Sequence, residues 1–408
     1  MAKLVWALKN ETTATTFTDI VLGFNVMVGR QNYLDNYDGQ ILSIDIINDS
    51  NQISGFTLNN QVSLKTGLFN QTFWVQGVDF HDSPGNTGLS TATIQCSDWL
   101  GRAGRIQANS LTLPLDYSGK QLDYFESAAG GPLPSSMTVT PFAGNGDSTV
   151  SNATYTGSVA SRVQLNLTTE KGLMFYNGSV LQPMARSSVD NWTTAYTFSY
   201  QNPATSIAYE TFDRIQNGLN MMNFVQVSPA GMATQTAQDA TSVTAYGQNG
   251  YSLSTVDFST TQGFNLASWL ANTQSDPTDL RYVVGFSDAS QDATKLGQFV
   301  GSISGTYGYL RTTSITYQIQ KKTGTPISPQ TEAVVIEGVR ITATPTETLF
   351  QVYFSPLTVY QFFILNSSVN GLLGGGSLTY NQPEINYDET GWIYNDSNAD
   401  DTASRLGW

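Results

Sequence analysis

The chain has 408 residues, a formal net charge of -14 and only 12% charged residues. That length suits two or three domains, each able to bury a core. The scarcity of charge excludes a coiled coil, and the aromatic content excludes a disordered tail. Asn, Gln, Ser, Thr, Gly and Tyr stand where charges usually do, as in NNQVSLKTGLFNQTF, which is the habit of a turn-rich all-β chain.

A single histidine, His81, and a single cysteine, Cys96, remove most nucleophilic and zinc chemistry. Neither a Ser-His-Asp nor a Cys-His triad is expected, and a structural zinc site would need four ligands of types this chain barely owns. One cysteine closes no intrachain disulfide. Cys96 alternates with Ile94 and Ala92 in TATIQC and reads as a small core residue. The start MAKLVWALKNE is too short in apolar residues for a signal peptide, and no run reaches the roughly eighteen residues of a membrane span. A pI near 4.3 argues against specific nucleic-acid binding.

Residues up to about 120 read as strands. In GQILSIDIIND, Leu42, Ile44 and Ile46 alternate with Ser43 and Asp45, the period of a half-buried strand. FTLNNQVSLKT reads as two strands about an Asn59-Asn60 turn, and FWVQGVDF and LSTATIQC follow, split by the turn in HDSPGNTG. Asp98 is placed to cap a helical turn beginning at Trp99 and ending at Gly101-Arg102. Residues 126–160 are Gly/Pro/Ser/Thr-rich and read as a boundary or surface connection.

SRVQLNLTTEKG offers a short amphipathic turn with Val163, Leu165 and Leu167. GLMFYNGSVLQPMAR reads as a hairpin about Asn177-Gly178, with Pro183 restricting its second strand to an edge or a strand end. MNFVQVS, SVTAYGQ and YSLSTVDF read as strands, and TQGFNLASWLANTQSDP as a helix. Phe264, Ala267, Leu270 and Ala271 share a face of that helix, and Pro277 closes it. LRYVVGFS, SITYQIQ, EAVVIEGVRITATP and TLFQVYFSP complete the strands; VYQFFIL, before the Gly371–Gly376 run, reads as a buried strand or an anchor.

The order of these segments resembles the hub (minor tail) proteins of long, non-contractile-tailed bacteriophages. The first block carries Gly29, Arg30, Ile44, Ile46, Asn48 and Asp49, with Ser50-Asn51-Gln52 where the family has an Arg-rich turn. Phe73, Gly77, Asp98, Leu100 and Arg102 approximate the second, and Glu170, Gly172, Phe175, Asn177 and Gly178 a hairpin block. Asn223, Val225, Gly231, Asp239, Ser242, Tyr246, Gly247, Trp269, Pro277 and Arg281 follow the next. The strand pair in VVIEGVRITATPTETLFQVYFSP and the ending TASRLGW complete the likeness.

The resemblance implies a mainly β, multi-domain chain. Two small antiparallel, tail-tube-like β-barrels (residues 1–125 and 209–356) would flank a connecting α+β domain (126–208), with a C-terminal extension (357–408). It further implies a virion protein of the tail tip, assembled in the bacterial cytoplasm as a homotrimeric ring. The ring would continue the tail tube, meet a distal ring protein and fibre or tip proteins, and pass the tape measure protein and DNA through its lumen. No catalytic, cofactor-binding or metal-ligating residues, and no cofactor, are expected.

Charge suits such a channel by repelling DNA, and equally suits plain solubility. Asn, Gln, Ser, Thr and Tyr would hydrogen-bond across subunit interfaces without the cost of burying charge. Trp99, Trp269 and Trp392 read as core or interface anchors, and Trp408 as a terminal docking residue. Tyr246-Gly247 reads as a strand end or a contact. A receptor- or carbohydrate-binding module remains the alternative. A glycosidase would draw on Asp38, Asp45, Glu337 or Asp388, which no spacing pairs. DSNADD (Asp396, Asn398, Asp400) partly resembles a calcium loop but lacks its sixth-position glycine and twelfth-position acid.

Overall fold

The computed structural model describes residues 3–360 apart from 19, 49–54, 68, 84–89, 142–145, 192, 195, 202–204, 217–219, 276–279, 306–307 and 320–326. Expectations for the Pro-Gly-Asn turn, Asp49, Ser50-Asn51-Gln52, Pro277, Asp388, DSNADD, Trp392, Trp408 and nearly all of 357–408 lie outside the described residues.

Seven strands come first: β1 (Ala7–Asn10), β2 (Thr15–Thr18), β3 (Val21–Gly29), β4 (Ile41–Ile47), β5 (Gln61–Thr66), β6 (Phe69–His81) and β7 (Thr91–Ser97). Helix and strand then alternate through α1 (Trp99–Ala103), β8 (Gln107–Leu113), β9 (Asp116–Tyr117), α2 (Ser118–Ser127), β10 (Thr138–Val139), β11 (Thr149–Val150), β12 (Ala153–Ser158), α3 (Val159–Glu170), β13 (Leu173–Asn177) and β14 (Val180–Met184). The next run holds β15 (Thr197–Ser199), β16 (Ser206–Ala208), β17 (Thr211–Gln216), β18 (Phe224–Pro229), β19 (Gln235–Gln238), α4 (Ala240–Tyr246), β20 (Gly250–Thr255) and α5 (Thr260–Thr273). It closes with β21 (Leu280–Ser287), α6 (Ala293–Ile303), β22 (Thr312–Tyr317), β23 (Gln330–Ala343) and β24 (Thr348–Pro356).

The chain is mainly β, as expected, but its strand pairing runs through both expected barrels. Among the described residues one path of hydrogen-bonded strands reads β16-β15-β22-β23-β3-β4-β7-β6-β5-β1-β2, with β24, β21 and β17 branching from β23. That path is open, and no closed ring of strands is found in it. The crossing is made by β23, whose fourteen residues outrun either neighbour. Its first part pairs with β22, its last part, Gly338 to Ala343, pairs with β3, and β24 follows it along the other side.

Period-2 patterning produces the strands where it was read. Leu42, Ile44 and Ile46 of β4 are fully buried while Ile41, Ser43 and Asp45 face out. Cys96, Ile94 and Ala92 are buried beside them in β7. Asp98 caps α1, accepting from Gly101 N at 2.7 Å, and the helix runs on to Ala103. The hairpin forms in register from Leu173↔Met184 to Asn177↔Val180, with Gly178 at φ 61°. Pro183 stands in β14 beyond the two residues that also pair with β10, where its missing N–H costs that ladder no bond.

Several expectations are corrected. Residues 55–60 form a turn with Asn59 at φ 67°, so only the second half of FTLNNQVSLKT is a strand. The segment 161–170 is helical, within α3, capped by Ser158 and buried on Val163, Asn166 and Leu167, whereas Leu165 is half-exposed. SVTAY lies in α4, not in a strand, because Asp239 caps the helix through Ser242 N at 3.0 Å, and Gly247 follows it as the C-cap. Phe264 of α5 is 46% exposed; the buried face runs through Leu266, Ala267, Leu270 and Ala271. Residues 126–160, read as a loose connection, carry β10, β11 and β12 with Met137, Val139 and Val150 buried. Helices α2 and α6 escaped the sequence reading, although Asp292 caps α6 and Leu296, Phe299, Val300 and Ile303 are buried at helical spacing.

Two cores result. The larger is laid on the long sheet and draws together β3, β4, β7, β23 and β24 with α5 and α6. The smaller gathers α1, α2 and α3 around Trp74, Trp99, Phe125 and Leu181. The seam between β3 and β23 needs two glycines. Gly29 sits at φ +91°, and a Cβ there would run into the Glu337 carbonyl oxygen and the Tyr309 ring; Gly338 faces Arg30 O and Val28 O just as closely. Gly29→Ala is expected to destabilise the protein by about 1–3 kcal/mol from backbone strain alone, read as a lowered midpoint in urea denaturation. An unchanged midpoint would contradict this packing.

Candidate functional site

The centre of the molecule is a buried charged cluster built at an irregularity in β23. The register with β24 skips from Ile336↔Phe354 to Gly338↔Tyr353, leaving Glu337 as the extra residue of a β-bulge. A bulge re-aims a side chain, and here Glu337 is fully buried. Its Oε2 accepts from Arg30 Nε at 2.9 Å, and its backbone oxygen accepts from Arg30 N at 3.0 Å. Tyr360 OH accepts from Arg30 Nη2 at 2.9 Å and donates to Glu337 Oε1. Arg30 Nη1 reaches Asp35 O at 3.3 Å, and the guanidinium lies 4.7 Å from the Tyr37 ring centre. Burial opposes the Arg30 charge, but Tyr37, Tyr360 and Glu337 outweigh it and raise the pKa. Burial and the Glu337 charge raise the pKa of Tyr360.

A second buried carboxylate, Glu170, closes α3. Its Oε2 accepts from Asp147 N at 2.7 Å and Ser148 N at 3.0 Å. Burial, then the Asp147 charge, push its pKa up to about 7 against those bonds. Gly172 packs close beside it: a Cβ there would meet Glu170 Oε1 at 2.7 Å and Met184 O at 3.1 Å. Asp98 is also raised by burial to about 7 despite the bond from Gly101. Arg186 stacks 3.8 Å from the Trp269 ring centre, with its pKa lowered to about 10 mainly by burial.

A third cluster gathers four residues picked out in the sequence. Asn223 is fully buried; its Nδ2 donates to Ser242 Oγ at 3.1 Å and Gly247 O at 2.8 Å, and its Oδ1 accepts from Asn249 N at 2.7 Å. Asp239 N donates to Asn223 O at 3.0 Å. One amide thus joins β18, α4 and β20. Tyr246, at 55% exposed, stands outside this cluster on the last turn of α4.

Among the described residues the candidate glycosidase carboxylates do not converge. Glu337 is held by Arg30 and Tyr360, Asp45 accepts from Thr93 Oγ1 on the outer face of β4, and Asp38 is exposed. Among the described residues no three His, Cys, Asp or Glu side chains come together as a metal site. Burial pushes the Cys96 thiol pKa up, and the residue lies in the core. His81 is exposed at the end of β6, 3.5 Å from Thr93 Oγ1. Trp99 and Trp269 are core residues. Sequence reasoning missed Tyr360 and Tyr37 as partners of Arg30; only their adjacency in the folded chain marks them. No described helix is long and apolar enough to cross a membrane.

No protein-family model matches the chain, and no curated protein matches it in sequence. Solved structures do match. The 43 kDa tail protein of prophage MuSo2 from Shewanella oneidensis superposes with a TM-score of 0.57 at 9% identity, over 87% of this chain and 99% of that one. The tail protein from Neisseria meningitidis MC58 superposes with a TM-score of 0.58 at 9% identity, over 88% of this chain and 98% of that one. The chain therefore has the fold of these tail proteins along nearly its whole described length.

Two outcomes are expected of the buried groups. Glu337→Ala leaves the Arg30 guanidinium buried without its carboxylate and should cost about 3–5 kcal/mol in denaturant unfolding; a change below about 1 kcal/mol would mean that the pair is not formed. Asp98 and Glu170 titrate near 7 when folded, against about 4 when unfolded. Their folded pKa values are raised, so stability is fully present below pH 4 and is lost as pH rises to about 7. Unfolding measured from pH 4 to 8 should show that fall, and Asp98→Asn, which keeps the capping oxygen, should make it shallower.

Proposed function

We propose that the chain is a structural subunit of a bacteriophage-type tail, a hub at the tail tip without catalytic activity of its own. The observation that carries this reading is the end-to-end fold likeness to two tail proteins, which leaves little of either chain unmatched. In this reading residues 1–125 and 209–356 act as two tube-like units, 126–208 join them, and 357–408 extend towards fibre or tip proteins. Three copies of a chain with two similar units present six similar edges, which is how a closed ring meets a sixfold tube. The net charge of -14 lets such a ring pass DNA without gripping it.

Surface features support an assembly subunit. Among the described residues strand β17 pairs with β21 and with no strand on its other edge, and nearly all of its side chains are exposed. Open edges are templates for pairing with another chain. Ile41, Leu58, Val5, Phe258 and Tyr246 are each more than half exposed, apolar surface that a neighbouring subunit would cover.

The test is co-expression with the tail-tube and distal-ring proteins of the same tail, with the mass of the purified particle measured. A ring of three copies that retains the tube protein is expected. A monomer that ignores both and binds glycans on an array would overturn the reading in favour of a receptor-binding module. Ile215, 43% exposed on β17, supplies a finer probe. Ile215→Lys should leave unfolding within about 0.5 kcal/mol while reducing the trimer fraction; an unaltered fraction removes β17 from the interface.

A further inference from the structure

Residues 255–258 form a joint between two parts of the fold. The sheet β19-β18-β20 is separate from the long sheet, and β20 ends at Thr255. On one side lies the end of α3, where Thr169 Oγ1 accepts from Val256 N at 3.1 Å. On the other lies β11: Ser151 N donates to Val256 O at 2.9 Å, Phe258 N to Thr149 O at 3.0 Å, and Ser151 Oγ to Asp257 O at 3.2 Å. Val150 and Asp257 face each other in an antiparallel bridge, and both are fully buried. Val225 and Val227 carry the small sheet into the larger core, whereas Val163 and Leu167 of α3 belong to the smaller. The joint thus ties the two cores to each other.

A carboxylate stands at its centre. Asp257 Oδ2 accepts from Thr255 Oγ1 at 2.6 Å, while Oδ1 meets no donor among the described residues. The charged groups around the joint are engaged elsewhere. At the end of α3, Glu170 accepts from the Asp147 and Ser148 amides, and Lys171 lies over the Tyr251 ring at 5.8 Å. Arg162, earlier in α3, donates to Gln121. Asp116 of β9, opposite Val150, accepts from Tyr117 N and Tyr124 OH. On α2, Lys120 pairs with Asp123, and Glu126 accepts from Val139 N. Strands β11 and β20 and helix α5 carry no charged residue. Burial raises the Asp257 pKa to about 6, against the Thr255 bond. A buried carboxylate met by one hydroxyl is costly once ionised.

We propose that Asp257 makes this joint a proton-operated latch: the neutral acid holds residues 255–258 against β11 and α3, and ionisation releases them. Opened to water, Asp257 titrates near the ordinary aspartate value of about 3.9. Its value in the closed joint is raised, so the latch is at full strength below about pH 4. It weakens as pH rises to about 6 and loses nothing further above that. The difference of about two pKa units corresponds to a rise on the order of a hundredfold in the opening constant.

The test is amide hydrogen exchange on the full-length chain from pH 4 to 7, with each rate divided by its intrinsic value at that pH. The amides of Ser151, Val256 and Phe258 report the joint, and that of Arg30, bonded to Glu337 O, reports the seam between β3 and β23. In the unaltered chain the opening constant at the joint should rise about a hundredfold more than at Arg30. Asp257→Asn has no carboxyl to ionise and keeps an oxygen for Thr255 to meet, so it should abolish that excess. Should it fold poorly, Thr255→Val is read in its place. Losing the one bond that favours the charged form, that variant should show a larger excess extending to higher pH. The proposal is overturned if the joint amides only keep pace with Arg30 in the unaltered chain, or if the variant read shows the same excess as the unaltered chain.

Discussion

The fold turns on the ion pair between Arg30 and Glu337, residues 307 positions apart. It sits where β3 meets β23, the one junction among the described residues through which the strands of the first hundred residues join β22, β23 and β24. A buried ion pair is poor evidence for stability, because apolar residues of the same volume often serve as well. Its worth here lies in register. Glu337 faces inward only because the β23 bulge places it there, and a one-residue slip would turn it out and bring apolar neighbours with it. Arg30 can be satisfied only in the register observed. The glycines on either side, Gly29 and Gly338, let the two backbones close on each other and complete the lock.

Much of the sheet was legible because its period is local. Leu42, Ile44 and Ile46 announce β4 without help from any other segment, and the Asn-Gly turn announces β13 and β14. The helices were less legible for identifiable reasons. On α3 the buried face includes Arg162, Asn166, Thr169 and Glu170, so hydrophobicity alone falls on the wrong period. On α4 the residues prefer strands, and the helix is held by the Asp239 cap and by Ser242 Oγ, which accepts from Asn223 Nδ2 and donates to Ser275 O. On α6 the apolar spacing was present, but Gly297 and Gly301 weaken the propensity that usually accompanies it.

The central cluster was legible only in part. Gly29 and Arg30 stood out as a pair through a likeness of motifs, as did Glu170 with Gly172, and both pairs hold structural posts. Glu337 was singled out as a carboxylate for glycosidase chemistry, and the fold instead sets it between Arg30 and Tyr360. Its partners come from remote positions, and a sequence pattern records neither the bulge that turns it inward nor the tyrosine that closes the triangle.

The amide-rich, charge-poor composition acquires a different meaning from the folded chain. Read as sequence, its Asn and Gln residues suited subunit interfaces. Many are inside. Gln121 donates to Pro114 O and Ser151 O while its oxygen accepts from Arg162 and Asn166, tying α2, α3 and two loops with one side chain. Gln291 does the same for the end of β16, bonding both the N–H and the oxygen of Ala208. Asn223 does it for β18, α4 and β20. A neutral amide offers donors and an acceptor on one group, so it can satisfy irregular backbone without the desolvation cost of a carboxylate or ammonium. A fold with many short strands has many such backbone ends to satisfy. The scarcity of charge is therefore as much a property of the interior as of the surface, and the few charges that are buried stand out as exceptions with particular work to do.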